Sequence, residues 1–242
     1  MATDCRRCPL RRREMFHDMS EDELAFMRRF KRGELEVDPG STILLEGSTS
    51  PQLFTCLSGI GVRHKTLEDG ARQIVNFVLP GDFIGLQAGV MGEIQHSVEA
   101  VTDMTLCVFA RDELWKMFRV QPERSFDLTW LAALEEHFLG ENLAVIGRRS
   151  GLERIAWGLL KFYSRMEALG QAKSGTVPMP FRQQDLADAL GLSLVHTNKT
   201  LKKLRERQIV HWDGGELRIV DIEALEDVAQ TDGYAVKTRP LI

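Results

Sequence analysis

The sequence predicts an α+β chain, with an all-β domain ahead of a helical C-terminal part, and three observations predict it. Between Gly33 and Ala110, short β-type runs follow one another with no helix-length segment between them. From Arg111 to about Ile146 the apolar period turns helical. Beyond Gly151 the order is one long helix, two short helices across a tight turn, and two β-runs joined through Asp213-Gly214-Gly215. At 242 residues and 27.4 kDa the chain is larger than most single domains, so two modest domains are expected. With 43% apolar residues it has material for hydrophobic cores, which excludes a disordered chain. No apolar run approaches the roughly 18 residues that cross a bilayer, and MATDCRRCPLRRREMF lacks the greasy stretch of a secretory leader. The expected location is the cytoplasm, with no membrane partner. Four cysteines are too sparse for a disulfide scaffold, and Cys5-x-x-Cys8 in a reducing compartment reads as metal or redox chemistry. A net charge of −4 excludes a generally basic nucleic-acid coat but leaves room for a local basic face.

Residues 1–32 form an arginine-rich cysteine arm and a short helix in SEDELAFMRRF, where Ser20 and Glu23 make a capping box. Residues 33–110 carry the runs STILL, LFTCL, RQIVNFVL and LCVFA, separated by turns at Pro39-Gly40, Asp69-Gly70 and Pro80-Gly81-Asp82. Without crossover helices such strands build a small barrel, jelly roll or sandwich rather than a parallel sheet. Residues 111–147 are helical. Their band Leu128, Leu131, Leu134, Phe138, Leu139, Leu143 and Ile146 is wide enough to face two neighbours. One is the β-domain. The other is a symmetry mate, although burial within one chain explains the same pattern. Gly147-Arg-Arg-Ser-Gly151 is the candidate hinge. Residues 148–242 hold LERIAWGLLKFYSRMEALG, a polar loop with Pro178 and Pro180, RQQDLADAL, LVHTNKTLKKLRER and IVHWDGGELRIV, the order of a winged helix-turn-helix.

On the second short helix, steps of 100° from Leu194 put Thr197, Leu201 and Leu204 on one side and Val195, Asn198, Lys199 and Lys202 on the opposite one. Between Ser193 and Arg207 five cations face the lone Glu206, a local +4 in an acidic chain and a footprint for phosphate. Asn198 suits the paired donor and acceptor of adenine, and Lys199 suits guanine or a phosphate. Val195 offers apolar contact, as to a thymine methyl. Arg182 and Gln183 begin the first short helix and are placed to donate to phosphate; Ser193 opens the second, and His196 borders both of its faces. Ala187 lets the two helices approach, and Gly191 permits a left-handed turn.

With these residues the chain resembles the Crp/Fnr family, the cyclic-AMP-receptor and fumarate-nitrate-reduction regulators, and is closer to the Fnr/FixK-like branch. The resemblance runs from about Cys5 to Ala229 and is carried by GELEVDPGSTILLEG, LPGDFIGLQAG and RQQDLADALGLSLVHTNKTLKKLRERQIV. It implies a sensory β-roll, a long dimerisation helix and a winged helix-turn-helix. It also implies a homodimer on a near-palindromic operator in double-stranded DNA, contacting or blocking RNA polymerase. The family often has glutamate, serine and arginine where this chain has Val195, Asn198 and Lys199, so a different operator half-site is expected.

Cyclic-nucleotide-binding relatives use a Gly-Glu pair and a downstream Arg-Ser or Arg-Thr pair. Here Gly85 is followed by Leu86 and Gln87, and His96 precedes Ser97, so these five positions are the candidate effector pocket. From Gln73 through Ala110 there is no lysine or arginine. A phosphate buried there would lack its cation, and cyclic AMP is disfavoured. His96 is a weak clamp at neutral pH, and an uncharged effector or haem stays open. Oxygen-sensing relatives hold an iron-sulfur cluster with C-x2-C-x5-C and a fourth thiolate from the end of the β-roll. Cys5, Cys8 and Cys107 match three positions and Glu14 takes the other; Cys56 reads as packed core. Neighbouring arginines are expected to lower the thiol pKa values, which suits redox sensing or a disulfide switch equally, and a cluster, another thiol or metal switch and an inert remnant all stay open.

The reading is thus an allosteric, homodimeric DNA-binding regulator of redox or oxygen type. The alternative is an effector-binding or thiol-redox module that works through protein contacts. An enzyme is not expected: there is no nucleophile-base pair or phosphate-cradling loop, and Glu135-Glu136-His137 reads as a solvated helix face.

Overall fold

The computed structural model describes residues 2–231 and 235–242. Its contacts divide the chain into two compact units: Met1–Lys65 with Val75–His137 and Thr238–Ile242, and Thr66–Ile74 with Phe138–Lys237.

In the first unit α1 (Glu21–Phe30) opens on the expected capping box, with Ser20 and Glu23 satisfying each other's backbone N–H. Eight strands follow: β1 (Lys31–Val37), β2 (Thr42–Leu44), β3 (Gln52–Ser58), β4 (Gly61–Thr66), β5 (Arg72–Val78), β6 (Phe83–Ile84), β7 (Ser97–Ala100) and β8 (Met104–Ala110). They form two four-stranded sheets, β1-β8-β3-β6 and β2-β7-β4-β5, the expected β-roll. Side chains alternate along a strand, so the first sheet has two unlike faces. Phe54, Cys56, Leu106 and Val108 point into a core shared with Leu44, Val98 and Ala100 of the second sheet, where Cys56 is packed as expected. Thr55 and Cys107, paired in register, lie on the opposite face with Leu53 and Phe109. Phe30 of α1 stacks on Phe109 there, ring centroids 4.9 Å apart. A short helix, α2 (Leu86–Met91), interrupts the strands after Gly85.

The helical stretch from Arg111 has a break in it. α3 (Leu114–Val120) stops at Gln121, and Pro122, which has no N–H to leave unsatisfied, opens α4 (Pro122–Arg148). α4 runs through Gly140 and Gly147, and the boundary between the units falls within it, between His137 and Phe138. The helix ends inside the expected hinge, where Ser150 and Glu153 cap α5 (Gly151–Ala168).

The second unit packs α5 against α6 (Gln183–Leu190), α7 (Leu194–Glu206) and α8 (Ile222–Ala229). The wing is the hairpin β10 (Val210–Asp213) and β11 (Glu216–Ile219), turned by Gly214 and Gly215 at φ 60° and 79°. The sequence predicts a loop over 171–181, but Thr176–Pro178 is a strand, β9, with Val177 opposite Leu217 of β11. Pro178 masked it, since proline is tolerated only at a sheet edge. Among the described residues no helix is long and apolar enough to cross a membrane.

Candidate DNA interface and sensor sites

Gly191 stands at φ 63° and caps α6 by donating to the Ala187 carbonyl, and Ala187 is fully buried where α6 meets α7, both as the residue types require. Ser193 caps α7, its hydroxyl accepting from His196 N at 3.2 Å. Thr197, Leu201 and Leu204 are buried, and so is Thr200, which sequence reasoning did not place in the core. Val195, Asn198, Lys199 and Lys202 are all exposed on the other side. Lys202 Nζ lies 3.7 Å from Glu206 Oε1, an exposed pair worth little in water. The His196 ring lies against Gly151, where any Cβ would overlap it.

At the start of α6, Arg182 and Gln183 are both exposed, and the Arg182 guanidinium also pairs with Asp185 at 3.1 Å. Burial pushes the Asp185 carboxyl up, but hydrogen bonds from the Arg182 side chain and backbone, with the charges of Arg182 and Arg72, outweigh it and hold its pKa below the ordinary value. The positive helix end that sequence reasoning offered to phosphate therefore already carries a carboxylate.

Residues 153–228 match the Crp-like helix-turn-helix domain family, and residues 34–121 match the cyclic nucleotide-binding domain family. The nitrogen fixation regulation protein FixK of Bradyrhizobium diazoefficiens is 30% identical over 225 residues, 93% of each chain. The chain belongs to the Crp/Fnr family. Another similar relative is the transcriptional activator protein FnrL of Cereibacter sphaeroides, 27% identical over 87% of this chain and 85% of its own. The structure of FixK2 from Bradyrhizobium japonicum superposes with a TM-score of 0.74 at 25% identity, covering 84% of this chain and 98% of that one. These Crp/Fnr relatives are DNA-binding transcription regulators, not enzymes.

In the Crp/Fnr β-roll, Gly85 takes φ 91°, and Leu44 and Leu53 crowd the place of its missing Cβ. Leu86 is half-buried and Gln87 exposed. Ser97 is buried, its hydroxyl accepting from Glu46 N at 3.1 Å. His96 is pushed down to about 4, first by burial and then by the charge of Arg63, so at neutral pH it is an uncharged imidazole and no anion clamp. Outside the cation-free stretch, Arg63 on β4 is 8% exposed and donates to the Phe83 carbonyl at 2.7 Å. Its partner corrects an expectation: Glu135 is not part of a solvated face but sits 3.1 Å from Arg63 Nη1 and accepts from Asn76 Nδ2 at 3.1 Å. Glu136 and His137 are exposed.

On the outer face of the first sheet, Cys5, Cys8 and Cys107 line one cavity of about 40 Å³ together with Lys31, Thr55, Leu57, Phe109, Leu241 and Ile242. The topology thus brings Cys107 to Cys5 and Cys8, about a hundred residues away in sequence. Glu14 does not join them; it is exposed and absent from the lining. Nor do arginines lower the pKa of Cys5 or Cys107 as expected. Burial pushes Cys107 up to about 11 against the pull of Lys31, and burial likewise raises Cys5. Lys31 Nζ is held at 2.7 Å from Glu34 Oε1 and 2.8 Å from the Thr3 carbonyl, and it also hydrogen-bonds Cys107. All four cysteines are free thiols, and among the described residues no three His, Cys, Asp or Glu side chains are placed to hold a metal ion. An iron-sulfur cluster does not fit this set. Glu14 does not supply the fourth ligand, and burial holds the Cys107 thiol pKa at about 11 where a cluster needs thiolates.

Proposed function

We propose that this Crp/Fnr chain is a homodimeric, sequence-specific transcription regulator in the cytoplasm. Each protomer presents Val195, Asn198, Lys199 and Lys202 to the major groove of a near-palindromic operator. Arg182, Gln183, Ser193 and His196 lie on the phosphate side, and RNA polymerase is the second partner. The carrying observation is the exposed polar stripe of α7, opposite a fully packed face. Dimerisation is supported by Phe126, Ala133, Gly140 and Gly147, spaced by seven and exposed along α4, with Leu143 beside them 73% exposed. A Cβ at either glycine would meet nothing within 4 Å, so a second helix has room to approach.

Its signal is read as redox in type and received by the thiol cavity. Cyclic AMP is not the effector in this reading, because the buried Arg63 of the β-roll is already neutralised by Glu135 and His96 is uncharged. The test is titration against genomic fragments by fluorescence anisotropy at several salt concentrations. One short inverted repeat should outcompete bulk DNA, and Asn198→Ala should weaken that binding by about 1–3 kcal/mol while relaxing preference at one base pair. Equal weakening on every sequence would count against base reading.

A further inference from the structure

The segment Thr238–Ile242 belongs to the first unit although the chain reaches it directly from the second, which ends at Lys237. It is seated by several independent contacts. Arg239 forms a parallel bridge with Phe16, donating its backbone N–H to the Met15 carbonyl at 2.8 Å and accepting from His17 N at 2.9 Å. Its guanidinium is paired with Asp82 at 2.8 Å, both side chains less than a tenth exposed. Arg124 donates to the Leu241 carbonyl at 3.1 Å, and Thr55 Oγ1 donates to the Ile242 carbonyl. Leu241 and Ile242 are 4% and 5% exposed, and together they form part of the wall around Cys5, Cys8 and Cys107.

Thr55 is the register partner of Cys107, so the contact that holds Ile242 is made beside the buried thiol itself. The remaining wall is the cysteine arm and α1, through Leu10, Arg11, Met19 and Met27. An apolar dipeptide is thus pressed into a space whose chemistry is three thiols and an ammonium. Packing alone does not require three cysteines there, since a small apolar residue fills the same volume without a reactive atom.

We propose that Thr238–Ile242 is a latch on a thiol site: while it is seated Cys107 is sealed, and when it leaves, Cys107 together with Cys5 and Cys8 becomes a site for thiol-reactive electrophiles. In the modification step the sulfur of Cys107 bonds to the electrophilic carbon, the leaving group departs with its bonding electrons, and the thiol proton passes to solvent. The inference deepens the redox part of the proposed function, and its test reads thiol reactivity alone, so its outcome is separate from that of DNA binding.

The probe is iodoacetamide, with each cysteine of the reduced 242-residue chain followed by mass spectrometry over time. Iodide is the leaving group. Arg239→Met removes the cation of the buried pair while Asp82 keeps the Leu79 N–H at 2.9 Å, and Ile242→Asp puts a charge into the apolar wall. Cys56, in the separate core between the sheets, is the internal reference. Labelling of Cys107 is expected to rise tenfold or more in both variants while Cys56 stays at its wild-type rate. An unchanged Cys107 rate overturns the latch. So does a parallel rise at Cys56, which would mean that the domain opens as a whole.

Discussion

Replacing Glu135 by glutamine tests the β-roll where charge is most constrained. The Arg63 and Glu135 side chains are 10% and 34% exposed, and the substitution removes the carboxylate 3.1 Å from a guanidinium whose other hydrogen bond goes to the Phe83 carbonyl. Removing one partner of a fully buried pair costs about 3–5 kcal/mol. Because a third of Glu135 is open to water, screening reduces this to about 2 kcal/mol. With urea slopes of about 1–3 kcal/mol/M, the unfolding midpoint should fall by about 1 M. Tryptophan fluorescence and circular dichroism should both be followed, because the two units need not unfold together. Arg63→Met combined with Glu135→Leu should recover to within about 1 kcal/mol of wild type, since an apolar pair replaces the charges without orphaning either. If Glu135→Gln unfolds at the wild-type midpoint, or if the double variant is no better than the single one, the pair does not hold this site and its charge is answered elsewhere.

Four further outcomes are expected. Lys202→Ala should weaken binding to all DNA sequences alike and lower the salt slope of log K by about 1, whereas Glu206→Ala, which frees the same ammonium, should strengthen it; salt-dependent anisotropy measures both. His96 has a folded pKa of about 4 against 6.5 in the open chain, so the unfolded state protonates first: stability is full above pH 6.5, falls as pH drops toward 4 and levels below. That loss, about 2–3 kcal/mol, should vanish from the pH series of urea midpoints in His96→Gln. Gly81→Ala combines φ 89° with overlap of the Phe16 ring and should cost about 3 kcal/mol, whereas Gly40→Ala, at φ 81° with open space, should cost about 1–2 kcal/mol in thermal unfolding. Leu143→Asp, at an exposed position on α4, should convert the proposed dimer to monomer in sedimentation velocity without lowering the helix content.

The winged helix was legible in the sequence because its rules are local. The stripe of α7 follows from the period of 3.6, Gly191 from the need for a positive φ, and the Gly214-Gly215 turn from hairpin geometry, all within a few residues. The alternation along β8 even separates Cys107 from the face of Leu106 and Val108 before any partner is known. What lies against those faces was not legible. Arg63 meets Glu135 across 72 positions, and Thr55 meets Ile242 across 187, and neither pairing follows from any period or spacing. A side chain's exposure, its charge partner and hence its pKa belong to the assembled environment. For that reason the sequence by itself determined a helix-turn-helix with a basic outer stripe and a set of cysteines, while only the tertiary structure decided that Glu14 stays outside, that Cys107 is buried with its thiol pKa raised, and that Leu241 and Ile242 wall the same cavity.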